Sequence, residues 1–282
     1  MAEVTLVVVT HESAHCVPSL DGLLGGCPNV IIVDNGSTDG TPALARERWP
    51  QAQVLELPKN LGFGAANNRA LDRVTTPFAL LLNPDCELAQ GGVLALLQAA
   101  EDAPDAALLA PQLSSPTGRL EVNYRWPATT WRASGPAATG LTCVGFVCGA
   151  AMLFRMAHFR SVGFFDERFF LYYEDDDLCL RLFQARLQML LVPQVTAIHR
   201  SRGSSRGGKP WRNEYGRGFH HAQSKLTFAA KHRSREEAVK LRRHLLFTTS
   251  LALPLRTLVF APRLIARMVG RWMGLRSWRV DG

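Results

Sequence analysis

The sequence has no cysteine pair at CxxC spacing and no histidine at zinc-finger spacing, and it holds only six cysteines in 282 residues. That excludes a disulfide framework and a structural zinc module, and it fits reduced thiols in a cytosolic protein. A continuous apolar run of about 20 residues, the length a spanning helix needs, is also missing. Leu245 to Ala261 comes nearest, but Pro254 and Arg256 interrupt it, so an interfacial segment is expected there. No GxGxxG dinucleotide fingerprint and no Walker loop occurs. Met-Ala-Glu at the start runs directly into a strand-like segment, without the basic region, apolar stretch and cleavage site of a signal peptide. Internal repeats and low-complexity segments are absent.

What is present is a chain able to bury a core, with 47% hydrophobic and 20% charged residues. The formal charge of +8 is unevenly spread. Residues 1 to 199 carry 13 Lys and Arg against 20 Asp and Glu, a net of −7, whereas residues 200 to 282 carry 19 against 4, a net of +15. Such asymmetry marks a tail that meets a membrane or nucleic acid. Two regions are expected: one large domain over residues 1–205, and 206–282 as a basic helical extension.

Val4 to Val9 and Val30 to Val33 are continuous β-branched and Leu runs, the pattern of strands buried on both faces in a parallel sheet. Helical spacing at Leu20, Leu23 and Leu24, and through Ala43 to Arg48 and Ala65 to Val74, alternates with short strands at Val54 to Leu57 and Phe78 to Leu82. This is βαβ alternation. A helix over Val93 to Ala100 and a strand over Ala107 to Leu109 follow, and residues 111 to 142 read as a loop or hairpin insertion. Order resumes at Gly145 to Arg155. Glu174 to Arg186 is expected as an amphipathic helix and Met189 to His199 as two short strands around Pro193, before a Gly/Ser/Arg loop and basic helices.

Ligands of open α/β sheets bind at the carboxyl ends of the strands. The run Ile31 to Asp39 ends there in short polar side chains. Asp34 can accept the imide N–H of uracil or thymine, while Asn35, Ser37 and Asp39 can order the loop or contact ribose. A plain strand-to-helix turn capped by Thr38 or Asp39 explains the same residues. Leu80-Leu-Leu-Asn-Pro-Asp85 presents a lone carboxylate suited to Mg²⁺ or Mn²⁺ bridging a diphosphate, or an ordinary Asn-Pro-Asp turn. In Tyr172-Tyr-Glu-Asp-Asp-Asp177, helix-start capping accounts for one or two acids but not four. Crowded like charges raise some pKa values, so Glu174, Asp175 and Asp176 are candidates for a base. His199 closes the last strand of the acidic half and can ligate a divalent metal, with Arg200, Arg202 and Arg206 facing phosphate. In Asn60 to Asn68 and Cys148 to Met152, small residues allow a close approach to a nucleotide or to another strand. Asn60, Gly62 and Asn68 are therefore nucleotide candidates.

Taken in order, VVVTHES (residues 7 to 13), IIVDNGSTDGT, NLGFGAANN, LLNPD, CGAAMLF, GFFDERFFLYYEDDDLCLR and His199 resemble glycosyltransferase family 2, nearest its bacterial rhamnosyltransferase-like branch. The resemblance covers roughly residues 4 to 205. It implies an α/β GT-A fold, with a mostly parallel central sheet flanked by helices, and an inverting reaction with a nucleotide-diphosphate sugar donor. By the match, Thr10, Glu12, Asp34 and Asp39 would line the nucleotide site. Asp85 would be the surviving acid of the family's DxD metal motif, whose first acid is replaced by Asn83. His199 would then be the second protein ligand. The family's Glu-Asp pair falls on Glu174 and Asp175, which makes Asp175 the base, with Asp176 as the second choice. The resemblance further implies a dTDP- or UDP-sugar donor, rhamnose or another hexose as the sugar, and a glycan or polyprenyl-linked acceptor.

Two other readings are weaker. A nucleic-acid binder would use the basic tail but leaves the acids at strand ends unexplained. A nucleotidyltransferase would show a Gly-rich phosphate loop and Lys near the first strand, and Thr10-His-Glu-Ser13 offers neither. No nucleic-acid partner is expected. Residues 240–279 mix Leu, Val, Phe and Trp with Arg, the composition of a helix lying on an anionic membrane surface, so a cytoplasmic enzyme peripheral to the membrane is expected. A helical cap or a dimer contact is the alternative. Asp34, Asp85, Asp175 and His199 are expected around one cavity.

Overall fold

A computed structural model describes residues 1–121, 124–125, 137–200, 210–258 and 261–279. Arg202 and Arg206, and part of the expected insertion, lie outside the described residues. The chain divides into two compact units. The first comprises Met1–Leu61, Ala65–Phe165 and Leu178–Arg206; the second comprises Gly62–Gly64, Asp166–Asp177 and Gly207–Gly282. A boundary at 205 therefore leaves two short inner segments on the other side.

The first unit is built on a mixed, mostly parallel sheet. Its strands are β1 (Val4–Thr10), β2 (Val30–Asp34), β3 (Gln53–Glu56), β4 (Phe78–Leu82), β5 (Cys86–Glu87), β6 (Ala106–Ser114) and β7 (Leu120–Glu121). After β8 (Tyr124–Arg125) come β9 (Thr142–Cys143), β10 (Phe146–Val147), β11 (Ala151–Arg155) and β12 (Gln188–His199). The order across the sheet is β3-β2-β1-β4-β11-β6-β12-β5. β11 runs antiparallel to both β4 and β6, the short β5, β7 and β9 also pair antiparallel, and β8 pairs with β10 apart from the main sheet. Every residue of β1, β2 and β4 is buried, as the unbroken apolar runs require of strands covered on both faces.

Short helices α1 (Asp21–Leu24) and α2 (Thr41–Arg48), with the longer α4 (Gln90–Asp102), follow β1, β2 and β5; α3 (Phe63–Leu71) precedes β4. Leu6 and Val8 of β1 pack in one cluster with Leu20, Leu24, Trp49 and Leu96 from the helical layer. α5 (Phe159–Val162) and α6 (Glu174–Gln184) lead into β12.

Two expectations need correction. Residues 111 to 114 continue β6 instead of opening a loop, because β12 pairs with them in parallel. Met189 to His199 forms part of one strand instead of two: the register shifts between Val192 and Thr196, so Pro193, which has no N–H to donate, is absorbed as a bulge.

The second unit contains α7 (Pro210–His232), α8 (Arg235–Leu258) and α9 (Pro262–Ser277). Its core is small: Ala222, Leu226, Ala229, Ala238, Leu245, Leu275 and Trp278. α7 and α9 meet backbone to backbone. A Cβ on Gly218 would sit 2.0 Å from the Arg267 carbonyl oxygen, and one on Gly270 would sit 2.0 Å from that of Tyr215. Only glycine permits that approach. Among the described residues no helix is long and apolar enough to cross a membrane, and α8 runs through Pro254.

Candidate active site

The parallel register sets Thr10 beside Asp34, so the carboxyl ends of β1 and β2 finish level. Asp34 is buried there. Its carboxylate accepts hydrogen bonds from the Thr10 hydroxyl (3.1 Å) and from the Ser37 N–H (2.9 Å). The loop beyond is tied down from several sides. Glu12, in the left-handed region at φ 52°, accepts from the Thr38 N–H (2.8 Å) and hydroxyl (3.0 Å), while its own N–H donates to Ser37 Oγ (2.9 Å). Asp39 accepts from Ala14 N–H (3.0 Å) and from the N–H and hydroxyl of Thr41. Burial pushes its carboxyl up, but these bonds outweigh that and hold it below the usual carboxylate value.

Asn35 anchors the loop to the following turn. Its Nδ2 donates to Asn60 Oδ1 (3.0 Å), and its Oδ1 accepts the Leu61 N–H (2.8 Å). Gly36, at φ 77°, lies where a Cβ would be 2.8 Å from Lys59 Cα, which is why this turn needs glycine. The small residues of Asn60 to Asn68 serve packing as well. Gly62 lies against the Phe170 backbone, and Asn68 clasps Phe165, accepting its N–H (3.1 Å) and donating to its carbonyl (2.9 Å).

Two chain turns then bring Asp85 and His199 together. β5 pairs with the end of β12, His199 opposite Cys86, and the Arg200 N–H donates to the Asp85 carbonyl (2.9 Å). His199 Nε2 consequently sits 3.7 Å from Asp85 Oδ1, with Asp85 only 4% exposed. The other ring nitrogen, Nδ1, is 3.9 Å from Glu121 Oε2 of β7, a neighbour with no local signature in the chain. Asn83, half-buried, carries the turn by accepting the Cys86 N–H (3.0 Å). The Arg200 guanidinium pairs with Glu87 (2.7 Å) at the surface.

A divalent cation fits the Asp85 and His199 pair. One hard carboxylate oxygen and one imidazole nitrogen at this separation can share an ion whose ligand bonds are about 2.0–2.2 Å. Among the described residues no three His, Cys, Asp or Glu side chains are arranged to hold a metal alone. The rest of a coordination shell would have to come from ligand oxygens and water.

The four acids divide into two kinds. Asp177 is fully buried in an ion-pair network, 2.6 Å from Lys231 Nζ and 2.7 Å from His232 Nε2. Lys231 also reaches Asp166 (2.6 Å), which Arg168 grips in turn. Burial raises the Asp166 carboxyl, and the Arg168 and Lys231 bonds more than reverse this. Asp177 is thus structural. Asp175 and Asp176 stay half-buried and reachable.

Glu174 is buried, and its Oε2 has no hydrogen-bond partner. Burial first, then the charges of Asp175 and Asp176, push its pKa well above the usual value. Its charge therefore opposes folding once the pH rises above the carboxyl's unfolded value of about 4.3. Glu174→Gln is expected to unfold at a higher temperature than the native chain at pH 7 and above, with the gap closing below about pH 4. Thermal melts of both across that range check it; a constant gap would mean the effect is not protonation.

Tyr172 and Tyr173, immediately before these acids, have φ of 70° and 68°. Left-handed backbone at two successive bulky residues costs about 1–3 kcal/mol each and gathers at functional sites. The sequence carries no sign of it. Thr10, Glu12, Asp34, Asn35, Ser37, Asp39, Asn83, Asp85 and His199 belong to the first unit, and Glu174, Asp175 and Asp176 to the second.

Comparison with known proteins agrees with this architecture. Residues 25–161 match the family model "Glycosyl transferase family 2". The chain is 32% identical over 202 residues to the N-acetylglucosaminyl-diphospho-decaprenol L-rhamnosyltransferase of Mycobacterium tuberculosis, covering 61% of this chain and 66% of that protein. It is 31% identical over 210 residues to the pre-mycofactocin glycosyltransferase of the same organism, covering 70% of this chain and 42% of that one. The chain thus spans about two thirds of the first relative's length and less than half of the second's. Among solved structures, the mannosyltransferase PcManGT from Pyrobaculum calidifontis, in complex with GDP-Man and Mn²⁺, superposes with a TM-score of 0.59 at 14% identity, covering 97% of this chain and 86% of that one. S. aureus TarS 1–349 gives 0.57 at 15% identity, covering 99% and 92%. The ordered motifs, the family match and the shared architecture together make this chain a member of glycosyltransferase family 2, built on the GT-A fold.

Proposed function

We propose that this chain transfers a hexose, rhamnose first among them, from a dTDP- or UDP-sugar to a hydroxyl of a polyprenyl-diphosphate-linked glycan in cell-surface polysaccharide synthesis, with inversion. The observation that carries the reading is the convergence of Asp85 Oδ1 and His199 Nε2 to 3.7 Å beside the carboxyl end of β4. Identity to a protein named for rhamnosyl transfer to a diphospho-decaprenol acceptor supports the sugar and acceptor classes. Family membership also sets aside the nucleotidyltransferase alternative.

In this reading Asp34 accepts the imide N–H of the pyrimidine through lone pairs that Thr10 and Ser37 leave over, and the Glu12 and Asp39 bonds hold the loop rigid for it. Asp85 and His199 would hold a divalent ion, Mn²⁺ or Mg²⁺, and such an ion would offset the diphosphate's charge. Asp175 takes the acceptor's proton as the oxygen bonds to the anomeric carbon, and the bond from that carbon to the diphosphate oxygen breaks with its electron pair. Asp176 is the second candidate for that role. One in-line displacement inverts the centre and needs no enzyme nucleophile.

The tail is part of the same reading. Phe247, Leu251 and Leu255 recur every four residues on one face of α8 and are 66%, 58% and 65% exposed, a stripe suited to the cytoplasmic face of an anionic membrane. A donor screen reading nucleoside diphosphate release, with a polyprenyl-diphosphate-linked acceptor and with Mn²⁺, Mg²⁺ or EDTA, tests the function. Release from a dTDP- or UDP-sugar that EDTA stops is expected. No release from any pyrimidine donor would overturn it.

A further inference from the structure

The second unit holds a cavity of about 360 Å³ whose wall is unusually cationic: Tyr172, Arg217, Gly218, His221, Arg267 and Arg271. One carboxylate answers two of the three guanidinium groups. Glu214 reaches Arg217 Nη1 (3.0 Å) and Arg267 Nε (2.7 Å). Among the described residues no carboxylate pairs with Arg271. Lys225 adds a further cation, its ammonium pushed down by burial and then by Arg271 and Arg233. His221 is pushed down in the same way, by desolvation and then by Lys225, Arg271 and Arg267. Cations held this close repel one another, and the arrangement is relieved by an anion with several oxygens. Guanidinium forks match phosphate oxygens in pairs, which an isolated lysine does not.

A second cavity of about 350 Å³ shares Arg267 and Arg271 with the first. Its remaining wall, between α8 and α9, is Ala252, Leu264 and Met268, with Thr248, Thr249 and Arg256 at the polar side. Cationic and apolar spaces therefore adjoin through the same two arginines. A free diphosphate would use only the first, and a plain hydrocarbon only the second. The exposed stripe of Phe247, Leu251 and Leu255 runs along the same α8. The backbone contacts of Gly218 and Gly270 are what let α9 present Arg267 and Arg271 so close to α7.

We infer that this pair of cavities binds the acceptor's lipid anchor: Arg217, Arg267 and Arg271 clasp its diphosphate, and its first isoprene units lie against Ala252, Leu264 and Met268. The inference rests on the glycosyltransferase reading for the identity of the ligand, and on the cavities alone for its chemistry.

Calorimetric titration of the full chain with farnesyl diphosphate, inorganic diphosphate and farnesol, and in parallel with UDP and dTDP, tests it. Farnesyl diphosphate is expected to bind roughly tenfold or more tighter than either fragment. Arg271→Gln is expected to cut that affinity roughly tenfold while pyrimidine nucleotide binding and thermal stability hold; Arg271→Lys should recover part of it. Met268→Ser should weaken farnesyl diphosphate but not inorganic diphosphate. Equal affinity for farnesyl and inorganic diphosphate, or an Arg271→Gln variant that binds normally, overturns the site. So does binding to phosphatidylglycerol vesicles that farnesyl diphosphate fails to displace, which would reassign the surface to bulk membrane. If UDP and dTDP both fail to bind while the Arg271 dependence persists, the donor reading falls and this site stands.

Discussion

Asp175→Asn should lower sugar transfer by about 10²–10⁴-fold, the span a positioned general base contributes, while pyrimidine nucleotide affinity stays at its native value. The asymmetry follows from the role proposed for this carboxylate. Asn keeps the size and most of the hydrogen bonding of Asp but cannot hold the acceptor's proton. Its half-buried position separates it from Glu174 and Asp177, which are buried on either side of the pair. Asp176→Asn should have the smaller effect. Initial rates with saturating donor, set beside nucleotide titrations, decide the matter. Normal turnover in Asp175→Asn with a crippled Asp176→Asn would transfer the role to the neighbour.

Asp177→Ala, by contrast, should act on folding, with a loss of about 3–5 kcal/mol in stability, typical when one partner of a buried ion pair is removed. The reason lies in what is left behind. Lys231 and His232, 20% and 8% exposed, would keep their places with Asp166 as the remaining acid, itself shared with Arg168. Chemical denaturation monitored by circular dichroism measures the loss. If activity fell at unchanged stability, Asp177 would belong with the catalytic acids, and its division from Asp175 would be wrong.

Much of this architecture is legible in the residues because burial on both faces of a parallel strand leaves a plain trace. Val4 to Val9, Val30 to Val33 and Phe78 to Leu82 all became strands of one sheet. Strand ends were legible for the same reason, and Asp34 and Asp85 fall where those runs stop. What stayed hidden depends on pairing between distant segments. Residues 111 to 114 look like loop until β12 is laid beside them, and Pro193 looks like a break until a bulge takes it up.

The four acids illustrate the same limit at the site. Their crowding suggests reactivity, but a buried partner 55 residues away removes Asp177 from that set. Glu121 beside His199 and the left-handed Tyr172 and Tyr173 have no local signature at all, since each is fixed by tertiary contacts or backbone strain. Asn35, Asn60 and Asn68 are candidates for the nucleotide, and their amides also engage neighbouring backbone and one another. A polar residue in a glycine-rich turn reads alike whether it serves a ligand or the chain.

The most direct single measurement is the anomalous diffraction of Mn²⁺ in crystals grown with UDP or dTDP. The expected result is one strong peak bonded to Asp85 and His199 and to the nucleotide's diphosphate, with the pyrimidine on Asp34. A peak elsewhere, or a nucleotide bound away from Asp34, would contradict the proposed site.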